Sequence, residues 1–386
     1  MVRALYAFSG DPITYGHIDI VKRASHVFNE ILVGIGVNPD KKYMFSLEER
    51  TEMAKKAFAN MPNVRVESFS GLVVDYAYEN AISVIVRGIR GTADFEYENF
   101  LHQCGESQKL GIETFILIAR PSLTHISSSS VKSIQKEQGL IHEYVPLHVK
   151  QKLEAKMSGQ YIIGVTGEVG SGKSYISNKL VEIGMRKGIP VYNIDLDVIG
   201  HDILGNLQEA GYQKLRQDIG DEFGKEVVTK NGSIDRKVLG EIVFNNPREL
   251  RKLNDLMYTP LLVRLRREMY GKTGIMIFNA ALIAETNLTY VCNNNVILVK
   301  ADKNAQKQRL AKRHLDDQQI QRRIASQYDF EQKKNYIEKK IKDNNYGKLW
   351  IYDNSVENSN EPVEKLLAEI LEYFSYDSSH SIGNHI

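Results

Sequence analysis

The sequence predicts an α/β protein of two domains, each a mainly parallel sheet flanked by helices. Three observations carry the prediction. The chain has 386 residues, more than one hydrophobic core usually organises. Short apolar runs alternate with amphipathic stretches, the signature of βαβ units. That alternation stops at a polar, Lys-rich segment, Gln151 to Gln160, and restarts at Tyr161. The domains are therefore expected at 1–157 and 160–374. Residues 375–386, with little to bury, form a tail expected to be mobile.

In the first domain the runs Val2 to Phe8 and Ile31 to Val37 read as strands around a helix from about Tyr15 to Asn29. Ile20, Val21, Ala24, Val27 and Phe28 recur at three- and four-residue spacing and give that helix one face to bury. Val84-Ile85-Val86 and Phe115-Ile116-Leu117-Ile118 are further strands. In the second domain a strand at Tyr161 to Thr166 meets a Gly-rich loop and a helix from Lys173. Strands follow at Val191 to Ile194, Ile275 to Phe278, Val296 to Val299 and Leu349 to Tyr352.

Composition narrows the function classes. Lys and Arg total 50 against 48 Asp and Glu, a net charge of +2, so no global field exists to grip nucleic acid or an anionic membrane, and neither is an expected partner. Anion binding must be local. Two cysteines, Cys104 and Cys292, and no run of about eighteen apolar residues fit a cytoplasmic protein without a disulfide framework.

Two loops carry chemistry. The first, Ser9-Gly10-Asp11-Pro12-Ile13-Thr14-Tyr15-Gly16-His17, joins the first strand to the first helix, at the strand end where open α/β sheets bind ligands. Gly16 admits a phosphate to the backbone, the helix start offers free N–H groups, and His17 can donate to a phosphoryl oxygen. Arg87-Gly88-Ile89-Arg90 follows the Val84 strand and puts two guanidiniums at the same edge. Lys41-Lys42 and Ile126-Ser127-Ser128-Ser129 lie in the loops after the second and the Phe115 strands.

These residues resemble the bacterial phosphopantetheine adenylyltransferases, nucleotidyltransferases with a Thr/His-x-Gly-His signature, here Thr14-Tyr15-Gly16-His17. Met44 to Arg50, Arg87 to Arg90, Asp94 to Glu98 and Ile126 to Ser129 extend the match. The resemblance implies a Rossmann-like domain that moves AMP from ATP to 4′-phosphopantetheine. His17 would meet the ATP α-phosphate, Lys41 the acceptor phosphate, and Arg87 and Arg90 the polyphosphate. Ser9 would contact the acceptor phosphate, while Gly10, Gly16, Gly88, Glu98, Ile126, Ser127, Ser128 and Ser129 would line the nucleotide. It also implies a homo-oligomer built through this domain. One departure stands out: the family usually reads Gly-Ser/Thr-Phe-Asp-Pro, and this chain reads Phe8-Ser9-Gly10-Asp11-Pro12.

The second loop, Gly167-Glu168-Val169-Gly170-Ser171-Gly172-Lys173-Ser174, fits the P-loop pattern between a strand and a helix. Its amides would ring ATP phosphates, Lys173 would neutralise β/γ charge, and Ser174 would ligate Mg²⁺. Asp195-Leu196-Asp197 ends the next strand, so one carboxylate can take a hydroxyl proton and the other can support Mg²⁺; the metal is assigned to Ser174 and Asp195. Residues 303 to 348 hold 13 basic against 6 acidic side chains, the composition of a cationic lid.

This half resembles the dephospho-CoA kinases through Thr166 to Ser174, Asp195 to Asp197 with His201, Ala281 to Glu285, Arg309 with Arg313, and Asp353-Asn354. The resemblance implies a P-loop kinase domain that phosphorylates the ribose 3′-hydroxyl of dephospho-CoA, with Asp197 as general base and Arg309 and Arg313 in the lid. Ala281 replaces the family's Pro, and Thr259-Pro260 stands where His-Pro is usual. The two implied reactions are consecutive, with ATP at both sites. Two alternatives remain open at this level: a nicotinamide mononucleotide adenylyltransferase joined to a ribosylnicotinamide kinase, and a nucleotide-binding regulator with one decayed catalytic domain.

Overall fold

The computed structural model describes residues 2–244, 246–311, 327–356 and 360–376. The chain divides into two compact units, Met1–Leu153 and Glu154–Ile386. The segment 151–158, read as a break in structure, is instead part of a helix, Leu147–Ser158. Leu, Glu, Ala, Lys and Met are all strong helix formers, so polarity there does not mark a loop.

In the first unit, β1 (Arg3–Phe8), α1 (Tyr15–Ala24), β2 (Glu30–Gly36), α2 (Leu47–Phe58), β3 (Val64–Phe69), α3 (Val73–Glu79), β4 (Val84–Ile89), α4 (Thr92–Glu106), β5 (Glu113–Ile118), α5 (Ser128–Lys136) and α6 (Leu147–Ser158) follow in order. The strands form one parallel sheet, β3-β2-β1-β4-β5. Central β1 buries Ala4, Leu5, Tyr6 and Ala7 in succession, as a strand covered on both faces must. The chain leaves β1 toward β2 on one side and returns through β4 on the other. A crevice opens at the carboxyl ends of these strands, where the order reverses.

Two expectations need correction here. The first helix stops at Ala24 rather than near Asn29. Asn29 pairs both ways with Val2, its amide to the Val2 carbonyl and its side chain to the Val2 amide, and that contact turns the chain into β2. Strand β3 lacks the apolar run that marks the other strands, because Val64-Arg65-Val66-Glu67 alternates charges on the open face of an edge strand.

The second unit continues with β6 (Gln160–Gly167), α7 (Lys173–Arg186), β7 (Val191–Asp195), α8 (Leu196–Gly205), α9 (Ala210–Phe223), α10 (Arg236–Val243), α11 (Pro247–Met269), β8 (Gly274–Asn279), β9 (Asn295–Lys300), α12 (Lys303–Ala311), α13 (Phe330–Asn344), β10 (Lys348–Asp353) and α14 (Glu361–Phe374). Its parallel sheet runs β10-β9-β6-β8-β7. A core of Ile163, Val165, Ile176, Leu180, Ile277, Ile297, Val299 and Trp350, with Val363, Leu367 and Ile370 of α14, holds β6 and α7 in register. That packing presents the loop between them at the carboxyl edge of the sheet. Thr259 and Pro260 lie inside α11. Arg313 and residues 377–386 of the tail lie outside the described residues.

Candidate active sites

In the first unit a cavity of about 560 Å³ opens at the β1/β4 crevice, a volume typical of small-ligand sites. Ser9, Gly10, Gly16, His17, Lys41, Arg87, Gly88, Arg90, Glu98, Ile126, Ser127 and Ser128 all line it. Ser129 does not; it is exposed on the first turn of α5.

The geometry around His17 follows from how α1 begins. Thr14 is the N-cap, and His17, three residues on, reaches back to it. The Thr14 amide donates to His17 Nδ1 at 3.0 Å, and the Thr14 hydroxyl lies 3.0 Å from the same nitrogen. This is a capping box with histidine in the place of Glu or Gln. A nitrogen that accepts from a backbone amide cannot carry a proton, so the neutral ring bears its proton on Nε2. Burial, helped by the Arg90 charge, lowers the His17 pKa to about 4. The imidazole is a neutral donor at physiological pH.

Both guanidiniums are already paired. Arg87 Nε meets Glu98 at 3.1 Å and an Nη of Arg87 donates to the Ala7 carbonyl. Arg90 clasps Asp94 through two donors at 2.7 and 3.0 Å, and that contact holds the Asp94 carboxyl below its usual range. Burial pushes the Glu98 carboxyl up, against the pull of Arg87. The cavity therefore presents two guanidiniums engaged by carboxylates rather than two free cations.

Several contacts that shape this site span distant parts of the chain and have no signature in the local sequence. Arg50 is buried, stacks over the Tyr43 ring at 3.9 Å, and donates to the carbonyls of Ser9 and Gly36, fixing the ends of β1 and β2 together. Asp11 accepts from the Met44 and Phe45 amides and pairs with Lys132 at 2.9 Å. The Ser128 hydroxyl donates to the Pro12 carbonyl. Arg50→Met is expected to leave two carbonyls without their donor and to cost about 2 kcal/mol; equilibrium unfolding of the full chain in urea reads this directly, and an unchanged midpoint and slope would contradict it.

In the second unit the P-loop wraps the strand–helix junction. Gly172 has φ +93° and a Cβ there would fall 2.1 Å from Asn354 Nδ2, so only glycine fits. Asn354 donates to the Ser171 carbonyl at 2.9 Å. Arg309 also donates to the Ser171 carbonyl, at 3.1 Å, and to that of Asn354, at 2.6 Å. The expected lid residue Arg309 thus braces the loop through backbone carbonyls. Gln306 ties Glu168 to Ala301, and Lys173 Nζ folds to the carbonyls of Gly167 and Glu168 at 3.3 Å.

Asp195 caps α8 through the amides of Asp197 and Val198, and its second oxygen accepts from Asn279 Nδ2 at 3.0 Å. The same amide lies 3.4 Å from Ser174 Oγ. A hydroxyl and a carboxylate therefore flank one buried amide, an all-oxygen pair of the kind Mg²⁺ prefers. Desolvation and the neighbouring Asp195 raise the Asp197 pKa, with Lys173 opposing. Beneath them, fully buried Lys333 donates to the Ala281 carbonyl at 2.7 Å and pairs with Glu285; Thr166 Oγ1 donates to that carbonyl too. Asn279, Asn354 and Lys333 were not singled out as site residues from sequence. Two of them lay in stretches matched to the kinase family or beside them, and the Lys333 burial has no sequence signal.

A family model described as cytidylyltransferase-like matches residues 9–134, and one described as dephospho-CoA kinase matches residues 161–348. Among curated proteins, a phosphopantetheine adenylyltransferase of Clostridium kluyveri is 45% identical over 149 residues, covering 39% of this chain and 91% of the relative. The Clostridium tetani protein of that name is 46% identical over 143 residues, 37% of this chain and 89% of the relative. That of Nautilia profundicola is 42% identical over 151 residues, 39% of this chain and 98% of the relative. These matches favour neither of the two alternatives left open by the sequence. With its first unit aligned to nearly the whole of such relatives and a kinase model on its second, the chain belongs to the phosphopantetheine adenylyltransferase family and carries a dephospho-CoA kinase domain behind that unit.

Proposed function

We propose that the chain catalyses the last two steps of coenzyme A formation, adenylyl transfer from ATP to 4′-phosphopantetheine and then phosphorylation of dephospho-CoA. The observation that carries this reading is the pairing itself: the product of the first chemistry is the acceptor of the second, and both domains stand on one chain.

In the first step an acceptor phosphate oxygen attacks the ATP α-phosphorus, a P–O bond forms, and the bond to pyrophosphate breaks. The attacking phosphate is ionised near neutral pH, so no base is required; alignment and charge stabilisation do the catalysis. His17 donates Nε2–H to an α-phosphate oxygen, Lys41 holds the acceptor phosphate with Ser9, and Arg87 and Arg90 turn from Glu98 and Asp94 to the polyphosphate. In the second step Asp197 takes the proton of the ribose 3′-hydroxyl as its oxygen attacks the γ-phosphorus and ADP leaves. Lys173 and the loop amides hold the phosphates. A Mg²⁺ held by Ser174 and Asp195 would supply charge neutralisation across the β- and γ-phosphates.

The domains of this reading are 1–157 and 160–374, and the setting is cytoplasmic, in keeping with two cysteines that form no disulfide; among the described residues no helix is long and apolar enough to cross a membrane. Assembly into a homo-oligomer through the first unit is part of the proposal. Its support is α4, which buries none of its residues and exposes Phe95, Tyr97 and Phe100, together with exposed Phe115 and Ile118 on edge strand β5.

One incubation tests the reading. Purified protein with 4′-phosphopantetheine, ATP and Mg²⁺ is expected to yield coenzyme A, separated by chromatography from dephospho-CoA. Accumulation of dephospho-CoA would overturn the kinase assignment, and absence of both products would overturn the first.

A further inference from the structure

The exchange of Phe8 and Gly10 has a physical counterpart in the first site. The Phe8 ring lies 4.6 Å from the His17 ring, tilted by 33°, and 5.1 Å from the Tyr6 ring. Tyr6 and Phe8 are two residues apart on β1 and so share one face. The ring also lies close to Gly10: a Cβ there would fall 3.3 Å from Phe8 Cε2 and 3.6 Å from Ile35 Cδ1. Gly10 also has φ +63°, a conformation that disfavours any side chain. Phe8 and Gly10 are therefore one device. The ring reaches across the space beside position 10, where the family's usual order carries its aromatic, and position 10 gives up its side chain to make room.

We infer that Phe8 is a positioning residue for His17, its ring fixing the imidazole plane against the Thr14 cap and excluding water from one face. The Thr14 contacts hold one edge of the imidazole through Nδ1; a single anchored nitrogen still lets the ring swing, and the aromatic wall removes that freedom. The low pKa of His17 agrees, because its first cause is burial and its second the charge of Arg90. A donor held in one orientation and kept dry needs no reorganisation as charge develops on the α-phosphate. This inference rests on the adenylyl-transfer reading.

The experiment combines NMR titration of His17 with steady-state kinetics on the full chain, for the unaltered protein, Phe8→Leu and Phe8→Tyr. In the unaltered protein His17 is expected to titrate near 4. Phe8→Leu is expected to move that titration up by a unit or more and to lower kcat for adenylyl transfer about tenfold, with KM for ATP within about twofold and the kinase step unchanged. Phe8→Tyr, which keeps the ring, is expected to restore both readouts. A merely structural role would lower the yield of folded protein without moving the titration or splitting kcat from KM. An unaltered protein whose His17 titrates near its ordinary value would overturn the inference even if Phe8→Leu failed to fold. So would a Phe8→Leu protein with unchanged titration and unchanged kcat while transfer itself is present. No transfer in the unaltered protein would instead sink the functional reading, and the inference with it, on kinetics alone.

Discussion

His17→Ala is expected to slow adenylyl transfer by about 10²–10³ in kcat, roughly 3 to 4 kcal/mol of transition-state stabilisation, while phosphorylation of supplied dephospho-CoA by the same preparation stays at the wild-type rate. The magnitude is that of one preorganised donor aimed at developing charge in a water-poor site. His17 qualifies because the Thr14 amide occupies Nδ1, which commits the only proton of the neutral ring to Nε2. The pH dependence carries the same signature. The folded pKa, about 4, lies below the ordinary histidine value of 6.5. Protonation is therefore penalised by the fold, and the stability linked to His17 is fully present above 6.5 and is lost as pH falls through 4. Protonation would also put a hydrogen on Nδ1, facing the Thr14 N–H, and break the cap. The His17 contribution to transfer is thus expected to be flat between pH 6 and 8. A rate profile with a histidine-like step near 6.5, absent from His17→Ala, would contradict the neutral-donor role, and loss of both half-reactions in His17→Ala would contradict the separation of sites.

Sequence made both ligand loops legible because each is local. A strand, a glycine-containing turn and a helix start lie within about ten residues, and the chemistry of backbone amides at a helix N-terminus needs nothing from elsewhere in the chain. The same logic found β1, β4, β6 and β8, whose continuous apolar runs follow from burial on both faces. What escaped was whatever depends on contacts far apart in sequence. Arg50 reaches Ser9 across 41 residues, Lys132 reaches Asp11 across 121, and Asn354 reaches Ser171 across 183. An arginine on an amphipathic helix reads as a solvated charge until a carbonyl at a strand end is seen to claim it. The guanidiniums of Arg87 and Arg90 were placed at the correct edge, yet their carboxylate partners, Glu98 and Asp94, sit on the helix that follows and change what a phosphate encounters. Edge strand β3 was missed for the opposite reason: its charges are real and exposed, and only pairing with β2 makes it a strand.

Asp197→Asn is expected to slow phosphorylation of dephospho-CoA by about 10²–10⁴ with ATP affinity within about twofold and adenylyl transfer untouched. The isosteric amide keeps the size of the side chain but cannot accept the hydroxyl proton, so the variant separates base chemistry from packing. Three features argue that Asp197, not Asp195, is the residue to change. Asp195 spends one oxygen on the amides of Asp197 and Val198 and the other on Asn279, so it is tied to the frame and turned toward Ser174. Asp197, two residues on, stands in the first turn of α8 at the mouth of the P-loop, within the field of Lys173. Desolvation, opposed by Lys173 and aided by Asp195, raises its pKa above that of an ordinary aspartate, which makes it a stronger proton acceptor. Asp195→Asn has a different expected signature: the cap survives through an amide oxygen, and the loss falls on Mg²⁺ dependence, read as a higher Mg²⁺ concentration for half-maximal rate. If Asp197→Asn phosphorylated at near the wild-type rate and Asp195→Asn stayed inactive at saturating Mg²⁺, the two carboxylates would exchange roles, because added metal compensates a weakened Mg²⁺ ligand but not a lost proton acceptor.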